Sequence, residues 1–255
     1  MTWMLYIPLF ALGCVLFFRF LPSLLRVSSD HYAITPGTHS AVRREVLLTL
    51  LNLPIFAAAG AAVDLMLHNG KAAIYSGGPD STAEIWWLIL SPFIALLAND
   101  VYFYFSHRLL HLPVLFRHIH HWHHDSHHSN AWTTFSFHPI EGVVQIGIVP
   151  LLAWLLPIPN AVFMGYAGFM LFMSVYGHSG YELRPDKAKL FQMFNTSVHH
   201  DQHHRYVHYN FGLYLKLWDT IFHTLHPQYD NELRSVSTRI RGNRKPHTTD
   251  QGRAG

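Results

Sequence analysis

Long apolar runs are the feature of this sequence that most constrains how the chain can fold. Residues 3–25, 45–67 and 84–112 are each long enough to cross the hydrocarbon core of a membrane, which takes about 20 apolar residues in a helix. Half of all residues are hydrophobic and 13% are Asp, Glu, Lys or Arg, about half the charged share of a soluble domain. The first run has no basic start and no small-residue cleavage site, so we interpret it as a membrane helix rather than a signal peptide.

A fourth apolar stretch, residues 140–177, is broken by two prolines within 156–160. It predicts a helical hairpin whose first arm is short for a full crossing. The predicted fold is therefore an all-α membrane bundle of about four to five hydrophobic segments, with a histidine-rich helical cap. The expected domains are N-terminal membrane helices over 1–83, a domain of further membrane helices and the histidine-rich cap over 84–226, and a basic, disordered tail over 227–255.

The distribution of arginines predicts the topology of this bundle. The arginine-rich loop 26–44 should be cytoplasmic, because cytoplasmic loops carry an excess of basic residues. The next two crossings return the chain to that side near residue 107, and a hairpin that enters and leaves on one side keeps residues 178–208 there. The C-terminus shows no evident signal for retrieval to the endoplasmic reticulum, which favours a bacterial inner membrane.

Composition excludes several classes of function. A single cysteine, Cys14, excludes a disulfide framework and cysteine-based zinc or iron–sulfur sites. The formal net charge is only +3, and no basic run is interleaved with aromatics, so we predict no nucleic-acid partner. No glycine-rich nucleotide loop or flavin motif is present, so the sequence shows no nucleotide- or flavin-binding domain. The sequence gives no indication of the oligomeric state.

Histidines are concentrated in two short segments. Sixteen of the 22 histidines lie within residues 107–138 and 178–208, and imidazole is the commonest metal ligand in proteins. A low-complexity tract that binds metal loosely, or a pH-sensing surface patch, would also give such clusters. The regular spacing, which recurs downstream, favours a defined metal site.

The spacing predicts ligand sets for two metal ions. An HxxxH motif points both rings to one side of a helix, and an HxxHH motif, which occurs twice at a separation of 80 residues, can do so for two or three rings. The candidate ligands in these motifs are His107, His111, His120, His123, His124, His200, His203 and His204. One zinc or iron ion takes about three or four protein nitrogens, so eight candidates indicate two ions.

Other polar residues near these motifs have expected roles as well. His138 and His178 each lie at an expected membrane boundary, and both are further candidate ligands. Side chains that can orient the rings through hydrogen bonds are Asp100, Tyr104, Glu141 and Asp201. Histidines interpreted as supporting groups, as surplus ligands or as solvated residues are His118, His121, His127, His128, His199 and His208. Trp218 and Asp219 are expected to end the domain by packing and capping.

Five stretches resemble the fatty acid hydroxylase/sterol desaturase superfamily of membrane di-metal oxygenases. They are DVYFYFSHRLLH (100–111), FRHIHHWHH (116–124), FHPIEG (137–142), GHSGYE (177–182) and HHDQHHRYVHYNFGLYLKLWDTIF (199–222). The FHP and GHSGY sequences and the doubled histidines that open the last stretch are similar to the branch of sterol C5-desaturases and C4-methyl sterol oxidases.

This resemblance implies a non-haem centre of two iron ions, O₂ as co-substrate and electrons from an external reductase; zinc can replace iron in a purified sample. The ligands that it implies by position are His107, His111, His120, His123, His124, His178, His200, His203 and His204. His199 belongs to the doubled pair and is a possible ligand beside His200, as is His138. Fatty acid 2-hydroxylases of the superfamily carry another histidine four residues before the one that matches His178, where this chain has Ser174.

The leading hypothesis is a membrane-bound, O₂-dependent hydroxylase or desaturase that oxidises an unactivated C–H bond of a sterol-like or fatty-acyl lipid. A zinc-dependent membrane lipid hydrolase or lyase is the alternative, with Glu141 or Asp201 as its general base. A metal transporter or sensor is a third hypothesis. Transporters hold ions near the membrane midplane, whereas these histidines are expected at the helix ends.

Overall fold

The computed structural model describes residues 2–24, 39–127, 129–182 and 193–242, which are almost entirely helical. A π-helical turn (Phe116–His120) joins α4 to α5, and a 3₁₀ turn (Thr133–Phe135) precedes α6. The α-helices in chain order are α1 (Trp3–Leu24), α2 (His39–His68), α3 (Thr82–Leu110), α4 (Pro113–Leu115), α5 (His121–His124), α6 (Pro139–Ile146), α7 (Ile148–Leu155), α8 (Asn160–His178), α9 (Ser197–Tyr206), α10 (Leu217–Ile221) and α11 (Tyr229–Gly242).

Within the described residues, four helices are long and apolar enough to cross a membrane: α1, α2, α3 and α8. Their outward faces carry large apolar side chains, such as Leu47, Trp86 and Phe93, that are at least 60% exposed. Such a surface is expected where the neighbouring solvent is lipid. The prediction of an all-α membrane bundle is therefore confirmed.

α1 and α2 form a tightly packed antiparallel pair. Asp64, near the end of α2, accepts hydrogen bonds from the backbone N–H groups of Trp3 and Met4 at 3.0 Å each, and so caps the start of α1. Gly60 permits this approach, because a Cβ at that position would lie 2.2 Å from the carbonyl oxygen of Trp3. The Trp3 indole also donates to Asn160 at the start of α8, which brings three helix ends together at one end of the bundle.

The apolar stretch after residue 138 folds as the predicted hairpin. Its first arm consists of two short helices, α6 and α7, and its second arm is α8. α6 begins where His138 caps it and Pro139 occupies its first position, a place where proline costs nothing because that N–H is unpaired anyway. The turn after α7 pairs with the loop after α2, since Tyr75 N–H donates to Ile158 and Asn160 N–H to Tyr75.

The last described helix, α11, lies in a region expected to be a disordered tail. Tyr229 and Val236 are two helical turns apart and pack against Val198 of α9, and this narrow apolar stripe gives the helix a face to bury. The amphipathic pattern is short and was outweighed by the basic composition in the sequence-based prediction. Residues 243–255 lie outside the described residues.

Candidate metal centre

Nine buried or half-buried histidines meet at the other end of the bundle, in two adjoining groups. Group A consists of His107, His111, His120, His124 and His203, and group B of His123, His178, His200 and His204. Each residue in a group offers one ring nitrogen that lies within 4.8 Å of the corresponding nitrogen of every other member. These are the nine residues that the resemblance implied as ligands.

The two HxxHH motifs contribute to the groups in a reciprocal way. In the first motif, His120 and His124 belong to group A and His123 to group B; in the second, only His203 belongs to group A. Residues at i and i+4 share a helical face, whereas the residue at i+3 is rotated away from the i+4 ring and can turn to a neighbouring site. Each motif therefore connects both groups, and neither group is complete without the other motif.

Local backbone geometry explains how these rings are presented. The residues around His120 form a π-helical turn, a rare conformation that occurs frequently at functional sites. Thr196 caps the start of α9, because its side chain accepts the N–H of His199. The second HxxHH motif therefore follows directly on a well-capped helix start.

Backbone carbonyl groups fix the orientation of three rings. The Nδ1 atoms of His107, His178 and His203 lie 3.0, 2.8 and 2.6 Å from the carbonyl oxygens of Phe211, Ser174 and Tyr209. A carbonyl oxygen can only accept a hydrogen bond, so each Nδ1 carries the hydrogen. In the neutral ring the other nitrogen, Nε2, then presents an unprotonated lone pair.

The Nε2 atoms face one another at distances that suit a shared cation. Two nitrogens that bind one ion at about 2.1 Å lie about 3.0 to 3.4 Å apart. The observed pairs are His120 with His107 and with His124 (3.2 Å each), His178 with His123 (3.1 Å) and with His200 (2.7 Å), and His200 with His204 (3.2 Å). Opposed lone pairs repel unless a proton or a metal ion lies between them, so this donor set fits metal ions.

Burial keeps the rings neutral, as metal binding requires. Desolvation first, and then the neighbouring rings, lower the pKa values of the histidines outside the membrane helices: His120, His123, His124, His200, His203 and His204. The Nε2 atom of His203 is buried and has no hydrogen-bond partner among the described residues. An unpartnered lone pair in such a place is costly unless an ion binds it.

Of the four side chains predicted to orient the rings, Glu141 is the one with a hydrogen bond to a histidine of the two groups among the described residues. Its Oε1 atom lies 2.8 Å from Nδ1 of His120, and both side chains are almost completely buried. A carboxylate on the outer nitrogen of a ligand fixes the ring and makes it a stronger donor.

The other three candidates contact different partners. Asp100 accepts hydrogen bonds from the N–H groups of Tyr214 and Leu215 and from the indole of Trp218, so it holds the segment after α9 against α3.

Tyr104 is within hydrogen-bond distance of Thr224. Asp201 pairs with Arg205 at 2.7 Å. Burial raises the pKa of Asp201 to about 6 despite that arginine.

The two histidines left open in the prediction lie outside both groups. His138 caps α6 through its Nδ1 atom and packs on Trp122. His199 is fully buried and lies 3.2 Å from a carboxylate oxygen of Asp219. His118 and His127 are exposed, and His128 lies outside the described residues.

Sequence reasoning assigned Asp219 only to packing and capping, and the structure gives it a larger role. Its carboxylate accepts hydrogen bonds from the N–H groups of Phe211 and Gly212 and from Thr224, and it contacts His199. Burial alone would raise the pKa of Asp219, but these bonds hold it below its ordinary value. Because the carbonyl of Phe211 binds His107, Asp219 supports group A through the backbone, a link that a sequence does not display.

A cavity with mostly apolar walls adjoins both groups. Its histidine side is formed by His107, His120, His123, His178 and His200. Its apolar lining consists of Phe56, Phe103, Phe135, Phe137, Ile146, Met170, Leu171 and Leu213. The remaining lining residues are polar: Asn99, Thr134, Glu141, Gln145 and Ser174. A largely apolar surface with convergent polar groups is typical of a site for a small molecule.

Comparison with known proteins identifies the family. The fatty acid hydroxylase family matches residues 92–224, slightly more than half of the chain. The chain belongs to the fatty acid hydroxylase family. This segment contains all nine histidines of groups A and B, so the resemblance predicted from the histidine motifs is confirmed.

Several curated relatives of this chain have the names of sterol-oxidising enzymes. The chain is 29% identical to a lathosterol oxidase of Rattus norvegicus over 181 residues, which cover 71% of the chain and 60% of the relative. It is 29% identical to a Delta(7)-sterol 5(6)-desaturase of Aspergillus fumigatus, over 71% of the chain and 52% of the relative. A Delta(7)-sterol 5(6)-desaturase of Saccharomyces cerevisiae is 27% identical over 68% of the chain and 44% of its own length.

The chain thus spans about half the length of the curated relatives that it matches. No solved structure matches the chain.

Proposed function

We propose that this protein is a membrane-bound, O₂-dependent lipid oxidoreductase that hydroxylates or desaturates an unactivated C–H bond. The observation that carries the proposal is the convergence of nine histidines in two groups beside an apolar cavity. Family membership and the names of the sterol-oxidising relatives support a lipid as the substrate.

We propose iron as the metal, one ion in each group, with zinc able to replace it in a purified sample. Two irons held by nitrogen ligands would activate O₂ for breaking an unactivated C–H bond. The geometry favours His200 over His199, because His199 is directed to Asp219, and it gives no metal-facing role to His138. Group A offers five ring nitrogens and group B four, so an ion bound in group B would have more room for a further ligand.

The chain's own residues account for substrate binding and for protection of the site. Phe103, Phe135 and Met170 supply apolar surface against which a lipid chain or ring system can pack. Such walls exclude water, and a dry site suppresses side reactions of a strong oxidant. Glu141 keeps the Nδ1 hydrogen of His120 in place, so the Nε2 lone pair of that ring stays directed into group A.

A sterol-like lipid is the substrate class that the relatives favour, and a fatty-acyl lipid is the alternative, since both are apolar like the walls of the cavity. Either reaction with O₂ needs two electrons per turnover, which reduce the second oxygen atom to water in a hydroxylation. A separate electron-transfer protein is therefore proposed as the partner.

We also propose that the two groups lie on the cytoplasmic face of the membrane. Arg44, at the basic start of α2, donates to the carbonyl of Trp122 and pairs with Asp125 at 2.9 Å, so the basic helix end and the histidines share one side. The bacterial inner membrane and the domain boundaries at residues 83 and 226 stay predictions.

Metal analysis of the purified protein tests the core of the proposal. We expect about two irons per chain, and a loss of at least one in each of His120→Ala and His203→Ala, because both rings belong to group A. His118→Ala, which changes an exposed ring, is the control and should retain both. Fewer than one metal per chain, unaffected by either group A substitution, would contradict the assignment.

Lipid analysis tests the reaction. Mass spectrometry of lipids from cells with and without the gene should show a product heavier by one oxygen atom or lighter by two hydrogens, formed only when O₂ is supplied. Turnover without O₂ would support a zinc-dependent hydrolase or lyase instead, with Glu141 as the nearest general base.

A further inference from the structure

α2 carries a polar stripe that the family match does not include. Glu45, Thr49 and Asn52 follow one another at steps of four and three residues, which places them on one face of the helix, and each is at most 1% exposed. The rest of the helix is apolar enough to cross a membrane. Buried polar groups in such a helix are costly unless they are hydrogen-bonded, so their presence indicates a structural or functional role.

All three side chains bind the loop of residues 129–137, between the first HxxHH motif and α6. Glu45 accepts hydrogen bonds from Asn130 at 2.5 Å and from the Thr133 hydroxyl at 3.1 Å. Thr49 donates to the carbonyl of Trp132 at 2.8 Å.

Asn52 continues this series further along α2. Its Nδ2 atom lies 3.2 and 3.0 Å from the carbonyl oxygens of Phe135 and Phe137. Gly142 allows the approach, because a Cβ at that position would lie 2.1 Å from Oδ1 of Asn52.

The same face of α2 reaches the cavity beside the histidines. Phe56, one turn beyond Asn52, is buried and packs edge to face on Phe135 with ring centroids 5.1 Å apart. Phe56, Thr134, Phe135 and Phe137 all line the cavity. The polar stripe therefore holds the loop that forms one cavity wall, and Phe56 completes that wall.

We propose that this face of α2 determines which lipid fits beside the metal centre, with Phe56 as a specificity-determining residue and Thr49 and Asn52 as positioning residues. The proposal deepens the proposed lipid oxidation and rests on it for the chemistry of the ligand. It assigns a role in substrate selection to a helix outside the segment that defines the family.

Binding of two fluorescent probes by the purified, iron-loaded protein tests the role of Phe56. The probes are dehydroergosterol, a rigid sterol, and cis-parinaric acid, a flexible acyl chain. Phe56→Trp fills part of the cavity, so we expect it to weaken binding of the sterol about tenfold while the flexible chain loses less. Leu51→Trp is the control, because Leu51 lies on an exposed face of the same helix and should leave both affinities unchanged.

A matched pair at Thr49 tests positioning. Thr49→Val keeps the shape and removes the hydroxyl that holds Trp132, whereas Thr49→Ser keeps the hydroxyl. We expect Thr49→Val to keep its iron but to change the ratio of the two dissociation constants several-fold, and Thr49→Ser to behave as the wild type. Rescue by the conservative variant separates positioning from general loss of fold.

Three results would overturn this proposal: wild-type protein that binds neither probe, an unchanged affinity ratio in Phe56→Trp, or identical behaviour of the two Thr49 variants. Failure of the proposed function is distinguished from these results by separate measurements of iron content and lipid product. It would appear as missing iron or as missing lipid product in the wild type, while the dependence of probe binding on Phe56 would still be measured.

Discussion

At the scale of single residues, His120 shows how narrowly the site constrains its side chains. Its Nδ1 atom is bound to Glu141 and its Nε2 atom faces both His107 and His124. A ring that rotated to expose the other nitrogen would lose the carboxylate and turn the hydrogen towards group A. The tautomer of this ring is therefore set by Glu141, and the metal affinity of group A should depend on that carboxylate.

Glu141→Gln should weaken metal binding while keeping the size of the side chain. The amide lacks the negative charge that holds the Nδ1 hydrogen of His120, and loss of such a partner typically costs about 10- to 100-fold in metal affinity. Competition with a chelator measures the change. Asp201→Asn is the control, since Asp201 binds Arg205 rather than a ring; equal effects of the two substitutions would contradict the assigned role.

Spacing along the chain was sufficient to predict eight of the nine histidines, because i, i+3 and i+4 positions of a helix are neighbours whatever the helix packs against. The ninth, His178, was predicted from its place at a membrane boundary and from the family resemblance. It was not sufficient to divide them into groups. The division of His123 from His120 and His124 depends on how α5, α8 and α9 meet, and that is decided by packing between distant segments. The carbonyl groups that hold His107 and His203 belong to the backbone and leave no mark in the sequence.

At the scale of helices, the contact between α1 and α2 depends on the absence of a side chain at Gly60. Gly60→Ala would place a Cβ 2.2 Å from a carbonyl oxygen of α1, so the helices must separate, and we expect a loss of about 1–3 kcal/mol in stability. Thermal unfolding in detergent measures this change.

Gly13→Ala in α1 is the matched control for that substitution. Nothing lies within 4 Å of a Cβ at Gly13, and alanine is the better helix former by about 0.5–1 kcal/mol. Stabilisation at Gly13 with destabilisation at Gly60 is the expected pair of results. A Gly60→Ala variant as stable as the wild type would show that the helices do not pack this closely.

The helices that sequence patterns predicted best are those with the longest apolar runs, because crossing a membrane requires both length and composition. α11 was missed since its helical period shows in only a few residues, and it becomes a helix with a buried face only against α9. The sequence shows Thr49 and Asn52 as polar residues inside the apolar run of α2. It does not show what they bind, because their partners lie in a loop 80 or more residues away.

At the scale of the whole molecule, the buried histidines make the metal-free protein sensitive to acid. Their pKa values in the folded state lie below the ordinary value of 6.5, so below about pH 6.5 the unfolded chain binds protons that the folded chain does not. Each such ring then removes about 1.4 kcal/mol of stability per pH unit. The melting temperature of the metal-free protein should therefore fall steeply between pH 7 and 5.5.

This pH dependence has its own control. A variant with His118→Gln and His127→Gln changes exposed rings only, and its acid sensitivity should equal that of the wild type. Replacing His204 by Gln should make the decline shallower, because one buried ring no longer takes up a proton on unfolding. A decline of the same steepness in the His204 variant would mean that the buried rings do not control acid stability.

The orientation of the bundle in the membrane is the broadest prediction. The histidine groups and the basic start of α2 lie at one end of the bundle. The start of α1, the end of α2 and the start of α8 meet at the other end, through Asp64 and Asn160. A Cys14→Ser variant removes the single native cysteine, so cysteines placed one at a time at Asn69 and His127 report the two sides. In sealed inside-out vesicles from an expressing cell, an impermeant maleimide should label position 127 and spare position 69.

Right-side-out vesicles should reverse that pattern, because of the two labelled positions only position 69 would then face the reagent. Labelling of both positions from one side would contradict the proposed single crossing between them, since α3 must separate the two loops. Labelling of position 69 in inside-out vesicles would place the metal centre on the outer face. It would then exclude an electron donor in the cytoplasm, because the donor must reach the end of the bundle at which His107, His178 and His203 converge.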